Sequence, residues 1–116
     1  MTLESNDLAR LIVDLISDKK GEDILMLDTR AVSFISDYFV IATADNERQM
    51  KAITDDIQRQ LKRHRILPLG VEGTAESGWT LLDYNGVVVH VFSPAMRDYY
   101  RLEKVWEHAP VVVRIQ

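Results

Sequence analysis

Leu8, Leu11, Ile12, Leu15 and Ile16 recur at the three-and-four spacing that lines up one face of a helix, which predicts a helix over residues 6–19. Ser5 or Asn6 is placed to cap its start, Lys19 and Lys20 suit the negative end of its dipole, and Gly21 suits a left-handed stop. Residues 23–27 form a short apolar run that reads as a strand, followed by a polar stretch, 28–36, which includes Phe34 and Ile35. Residues 37–44 are rich in aromatic and β-branched side chains and apolar on both parities, so this strand belongs near the middle of a sheet.

Asn46 followed by Gln49 is a variant of the capping box, and Met50, Ile53, Ile57 and Leu61 form the narrow apolar stripe of a surface helix. Pro68 cannot donate to a ladder, so residues 67–73 suit a sheet edge or a strand start. Residues 79–84 and 87–92 are strand-like runs joined by Asn85-Gly86, the dipeptide preferred in a two-residue type I′ hairpin turn. Ser93-Pro94 then supplies a cap and first-turn proline, and Tyr99, Leu102, Val105 and Trp106 continue at helical spacing to about Glu107. Beyond Pro110 the apolar residues 111–115 suit an added edge strand or a tail. The order of elements predicts an α/β (α+β) fold, a mixed sheet of about five strands flanked by helices, in a single domain spanning 1–116.

A two-residue turn fixes the hairpin register and separates its side chains into two faces. Thr80, Leu82, Tyr84, Val87, Val89 and Val91 make an aliphatic face suited to packing under helices. Trp79, Leu81, Asp83, Val88, His90 and Phe92 make the other, which mixes aromatic rings with a carboxylate and an imidazole. Two readings stand for it. It is a half-exposed recognition face with aromatic anchors, or Asp83 and His90 satisfy each other while Trp79 closes the core.

Composition narrows the function. The net charge of −4 gives no surplus of cations for direct, non-specific binding to nucleic acid, and an acidic surface favours a basic partner. The run Lys62-Arg63-His64-Arg65 is a possible RNA patch, but cations at a helix C-terminus are also what its dipole favours. With no cysteine, thiolate metal sites and disulfides are excluded. No apolar run reaches the length of about 20 residues needed to span a bilayer, and Met1 to Asp7 lack the features of a signal peptide, so a cytoplasmic protein is expected.

No catalytic constellation emerges. His64, His90 and His108 are scattered, the glycines form no phosphate-cradling run, and the adjacent Asp55 and Asp56 diverge by roughly 100° on a helix, as on a solvated face. A non-enzymatic protein without metal or cofactor is expected.

Taken in order, residues 37–44 with Asn46, the segment 68–73, Trp79, Asp83-Tyr84, residues 88–92 and residues 99–106 resemble the signature of the RsfS/Iojap family of ribosomal silencing factors. The resemblance covers roughly 8–106; residues past His108 fall outside it as a variable tail. It implies a mixed five-stranded sheet similar to the nucleotidyltransferase fold without its activity. This chain lacks the Gly-Ser and paired-Asp metal signature of such transferases. It also implies a factor that binds the large-subunit ribosomal protein L-fourteen and sterically blocks the small subunit, repressing translation, and that is often a homodimer when free. Trp79 and Asp83 match the family's partner-binding region, in agreement with the mixed hairpin face that also holds Leu81 and His90. Tyr99, Tyr100 and Leu102 match its C-terminal helix signature and border that surface or a dimer contact.

Overall fold

The structure, a computed structural model, describes residues 3–34 and 36–116; Met1, Thr2 and Ile35 lie outside the described residues. Helix α1 (Ser5–Asp18) leads into strands β1 (Glu22–Asp28) and β2 (Tyr38–Thr43), and helix α2 (Glu47–Arg63) crosses to β3 (Gly70–Glu72). The hairpin β4 (Trp79–Asp83) and β5 (Val87–Phe92) follows, then α3 (Pro94–Tyr100), α4 (Leu102–Val105) and β6 (Val111–Ile115). The strands form one sheet in the order β3-β4-β5-β2-β1-β6. Only the β2–β5 pair is parallel, which α2 and the hairpin together make possible.

The sheet has six strands rather than five. Left as an edge, β1 would present an open ladder beside the buried Ile24, Leu25, Met26 and Leu27. β6 covers it, with Ile24 opposite Ile115 and Met26 opposite Val113. β2 is central, as its double-sided apolar pattern implies.

On the inner face, Leu8, Ile12 and Ile16 of α1 and Met50, Ile53, Ile57 and Leu61 of α2 pack against Val40, Leu82, Val87, Val89 and Val91. These helices are fastened to one another by Gln49, whose side-chain nitrogen donates to the carbonyl oxygens of Lys20 (2.8 Å) and Lys19 (3.2 Å). Asn46 caps α2 by accepting from the Gln49 backbone N–H at 2.8 Å. Ser5 and Asn6 do not cap α1, whose N-cap is Glu4 with no side-chain hydrogen bond. They tie the helix to the sheet instead: Ser5 Oγ donates to Asp37 Oδ2 at 2.7 Å and Asn6 Nδ2 to the Tyr38 hydroxyl at 3.2 Å. The left-handed residue after α1 is Lys20 (φ 66°), while Gly21 serves close packing, since a Cβ there would collide with Ile16.

Three further expectations are corrected. Asn85 takes φ 72° but Gly86 is not left-handed, so the turn is not type I′, which needs positive φ at both residues. Gly86 is used for close approach: its carbonyl accepts from the N–H groups of Asp37 and Tyr38, and a Cβ would strike Ser5. The single helix expected over 94–107 is broken at Arg101, which is left-handed (φ 47°, ψ 50°). The break turns α4 back so that Leu102 and Trp106 pack on the sheet, and Arg97 braces it with bonds to Glu103 and, at 2.8 Å, to Thr43 Oγ1. Asp55 is solvated but Asp56 is buried, paired with Arg59 at 2.7 Å.

Candidate docking face

The hairpin register is the one its two-residue turn requires: Trp79 faces Phe92, Leu81 faces His90 and Asp83 faces Val88. The aliphatic face, Thr80, Leu82, Tyr84, Val87, Val89 and Val91, is buried under the two long helices. The outer face is covered only in part. Leu25, Leu27, Ile41, Phe92 and Ala109 form a small second core there, with Phe39, Trp79, Met96, Leu102 and Trp106 packed against it and left partly open.

Trp79 is the centre of this face. Its ring lies over Phe92 with centroids 5.0 Å apart and meets Tyr100 at 4.7 Å. Its indole N–H donates to His90 Nδ1 at 3.2 Å. Tyr99 packs edge-on against Tyr100 at 5.0 Å and is 77% exposed, so the aromatic cluster runs out to solvent at the N-terminal side of the Arg101 break. Leu81 and Asp83 are half-buried, and Leu102 packs inward beneath α4.

The structure thus brings Trp79, Leu81, His90 and Tyr100 together, sets Tyr99 at their rim and Asp83 towards the hairpin turn, and uses Leu102 mainly for packing. The pairing of Asp83 with His90 is not formed. Asp83 Oδ1 accepts instead from the Asn85 backbone N–H at 2.8 Å, an Asx turn that steadies the hairpin. His90 is 4% exposed, and burial in apolar surroundings pushes its imidazole down to about 4. The ring is neutral at ordinary pH. Because Nδ1 accepts from Trp79, its single proton sits on Nε2, which is buried and has no hydrogen-bond partner.

Phe39 and Trp106 belong to the same face and were not among the expected site residues. Phe39 contacts His90 at 5.1 Å and Trp106 at 5.0 Å. The signal was the parallel register of β2 against β5, which sets Phe39 beside Val88 but joins segments far apart in the chain. Among the described residues no group of His, Asp and Glu is gathered to hold a metal ion, and no helix is long and apolar enough to cross a membrane.

A sheet sealed by helices on one side, and carrying a half-covered aromatic face on the other, defines a small α/β protein with one face of its sheet left partly open. A family model described as "ribosomal silencing factor during starvation" matches residues 2–116, and the chain belongs to that family, RsfS. It is 38% identical to a ribosomal silencing factor of Chromobacterium violaceum, over 90% of this chain and 85% of that one. The corresponding figures for a ribosomal silencing factor of Bacillus subtilis are 37%, 94% and 92%. A chloroplastic Iojap protein of Zea mays is 31% identical over 93% of this chain and 50% of its own length. A crystal structure from Chromobacterium violaceum superposes with a TM-score of 0.86 at 37% identity, covering 90% of this chain and 88% of that one. The family is one of translation regulators that act on the ribosome.

Proposed function

We propose that this protein silences ribosomes by docking on the large subunit through ribosomal protein L-fourteen and occupying the surface that the small subunit must meet. The observation that carries this reading is the outer hairpin face, where Trp79 and Tyr100 form a half-open aromatic cluster flanked by Leu81 and His90. Half-buried aromatic anchors ringed by apolar contacts are the usual energetic centre of a protein interface. The net charge of −4 favours a basic partner and speeds the encounter. Blocking then needs only affinity and bulk, and a body of 34 × 33 × 23 Å supplies the bulk. The reading invokes no catalysis and no cofactor. It includes a cytoplasmic site of action and a free protein that pairs as a homodimer, with Tyr99 and Tyr100 bordering either the docking surface or the dimer contact.

Sedimentation of purified subunits tests it. Saturating protein is expected to leave small and large subunits unjoined and to travel with the large one. Undiminished joining at saturation would sink it.

A further inference from the structure

The run Lys62-Arg63-His64-Arg65 closes α2 and takes no part in the aromatic face. All four residues are exposed, and among the described residues none makes an ion pair, whereas Arg30, Arg59, Arg97 and Arg101 each hold a carboxylate. Acids are missing from the surrounding sequence too: residues 57–71 contain no Asp or Glu, although the whole chain has 18. A basic end is thus built into an acidic molecule. The dipole of α2 accounts for Lys62 and Arg63, which stand in its last turn, but not for Arg65 beyond it. Arg65 is left-handed (φ 62°), and the Ile66 N–H returns to the Leu61 carbonyl, the closing bond of a Schellman stop. Glycine is the residue favoured at that position, so backbone ease is given up to set a third cation there. The run is also remote from Trp79. α2 starts just after Thr43, which pairs with Phe92 opposite Trp79, and the chain beyond its far end reaches the hairpin turn, where the Leu69 N–H donates to the Asp83 carbonyl at 2.7 Å.

We propose that Lys62, Arg63 and Arg65 contact the sugar-phosphate backbone of ribosomal RNA when the aromatic face is docked. The inference rests on the docking reading above and adds a second point of attachment to it. Guanidinium forks match phosphate oxygens, and regularly spaced phosphates serve three adjacent cations better than scattered carboxylates of a protein. The contact positions the chain without reading base sequence. The net charge of −4 opposes binding to free RNA, but a docked chain meets the neighbouring RNA at high effective concentration, so a weak patch adds to the hold.

Binding is measured to purified large subunits and, separately, to purified ribosomal protein L-fourteen, from about 50 to about 200 mM salt. Replacing all three cations together, Lys62→Gln, Arg63→Gln and Arg65→Gln, is expected to weaken subunit binding about tenfold. The slope of log affinity against log salt is expected to become shallower by about 2, while binding to L-fourteen stays as it was. Arg65→Gly separates charge from fold: it relieves the left-handed backbone and is expected to raise the urea midpoint, yet to bind subunits about twofold more weakly. The chain has no cysteine, so His64→Cys carries a single photoreactive label, which is expected to crosslink to RNA on docked subunits. An unchanged affinity and salt slope in the triple variant would overturn the proposal and leave docking intact. So would a crosslink to protein alone, or an equal loss of binding to L-fourteen. If the unmodified chain ignores L-fourteen but binds subunits with the expected slope and RNA crosslink, the docking reading falls and the RNA contact stands.

Discussion

The Trp79 indole and the His90 imidazole, diagonal neighbours on adjacent strands, are joined by an N–H···N hydrogen bond of 3.2 Å that does two jobs with one proton. It satisfies a half-buried indole and it dictates which tautomer the histidine adopts. Trp79→Phe keeps a ring against Phe92 and Tyr100 but deletes the donor. It is expected to cost about 1 kcal/mol of stability and to let His90 populate both tautomers, visible as averaged imidazole nitrogen shifts. A single unchanged tautomer would show that Trp79 does not set it.

Trp79→Ala removes the ring altogether. Since Trp79 is only half-buried and Phe92 keeps its place between Leu25, Leu27 and Ile41, the fold is expected to survive. Docking to the large subunit is expected to weaken by more than about 1 kcal/mol, as at an aromatic hot spot, when binding is followed by co-sedimentation. A variant that unfolds would place Trp79 in the core rather than at an interface.

His90 makes stability depend on pH. Its ordinary value is 6.5 and burial lowers it to about 4, so between these values the unfolded chain binds a proton that the folded chain refuses. Stability therefore rises with pH across that window, is complete above it, and is lost as pH falls through it, by about 3 kcal/mol over the full span. Asp28, held low by Arg30, adds its own loss only at still lower pH, below the ordinary carboxylate range. Urea midpoints from pH 4 to pH 7 should show this slope, and His90→Asn should flatten it. A variant with the same slope would assign it to other groups.

Much of this was readable from local pattern, because local physics decided it. The hairpin register follows from loop length alone, and the inner face follows from strict alternation. What could not be read depends on partners distant in the chain. Ser5 and Asn6 look like caps because they sit at a helix start, yet Asp37 and Tyr38, brought close by β2, take their side chains. The helical spacing of Tyr99, Leu102 and Trp106 conceals the break at Arg101, which is set by the Arg97 bonds to Glu103 and Thr43. Asp83 and His90 look like a pair until Asn85 and Trp79 are seen to claim them.

Gln49 offers a contrast between local and tertiary roles. As the third residue of a capping box, its side chain needs only an acceptor oxygen, and glutamate would serve as well. In the structure its oxygen does accept from the Asp45 N–H, but its nitrogen also donates to the last carbonyls of α1. Gln49→Glu keeps the first bond and places a negative charge against two carbonyl oxygens at the negative end of a helix dipole. It is expected to lose about 1 to 2 kcal/mol in urea unfolding, no less than Gln49→Ala. A neutral or stabilising result would mean that the link between the helices contributes nothing.

β6 decides how the far side of the sheet ends. β1 carries four consecutive buried residues, Ile24 to Leu27, and its outer ladder is satisfied by β6, with the Asp28 N–H donating to Pro110 at 2.9 Å where the pairing begins. Deleting residues 111–116 opens that ladder beside an apolar strand, the arrangement that recruits strands from other molecules. Val112, Val113 and Ile115 also pack on the inner core, so burial is lost with them. The shortened chain is expected to unfold at a clearly lower temperature and to elute from a sizing column as species that grow with concentration. If it stays unchanged in melting temperature and in apparent mass, β1 tolerates an open edge, and the strand is an appendage of the fold rather than part of its closure.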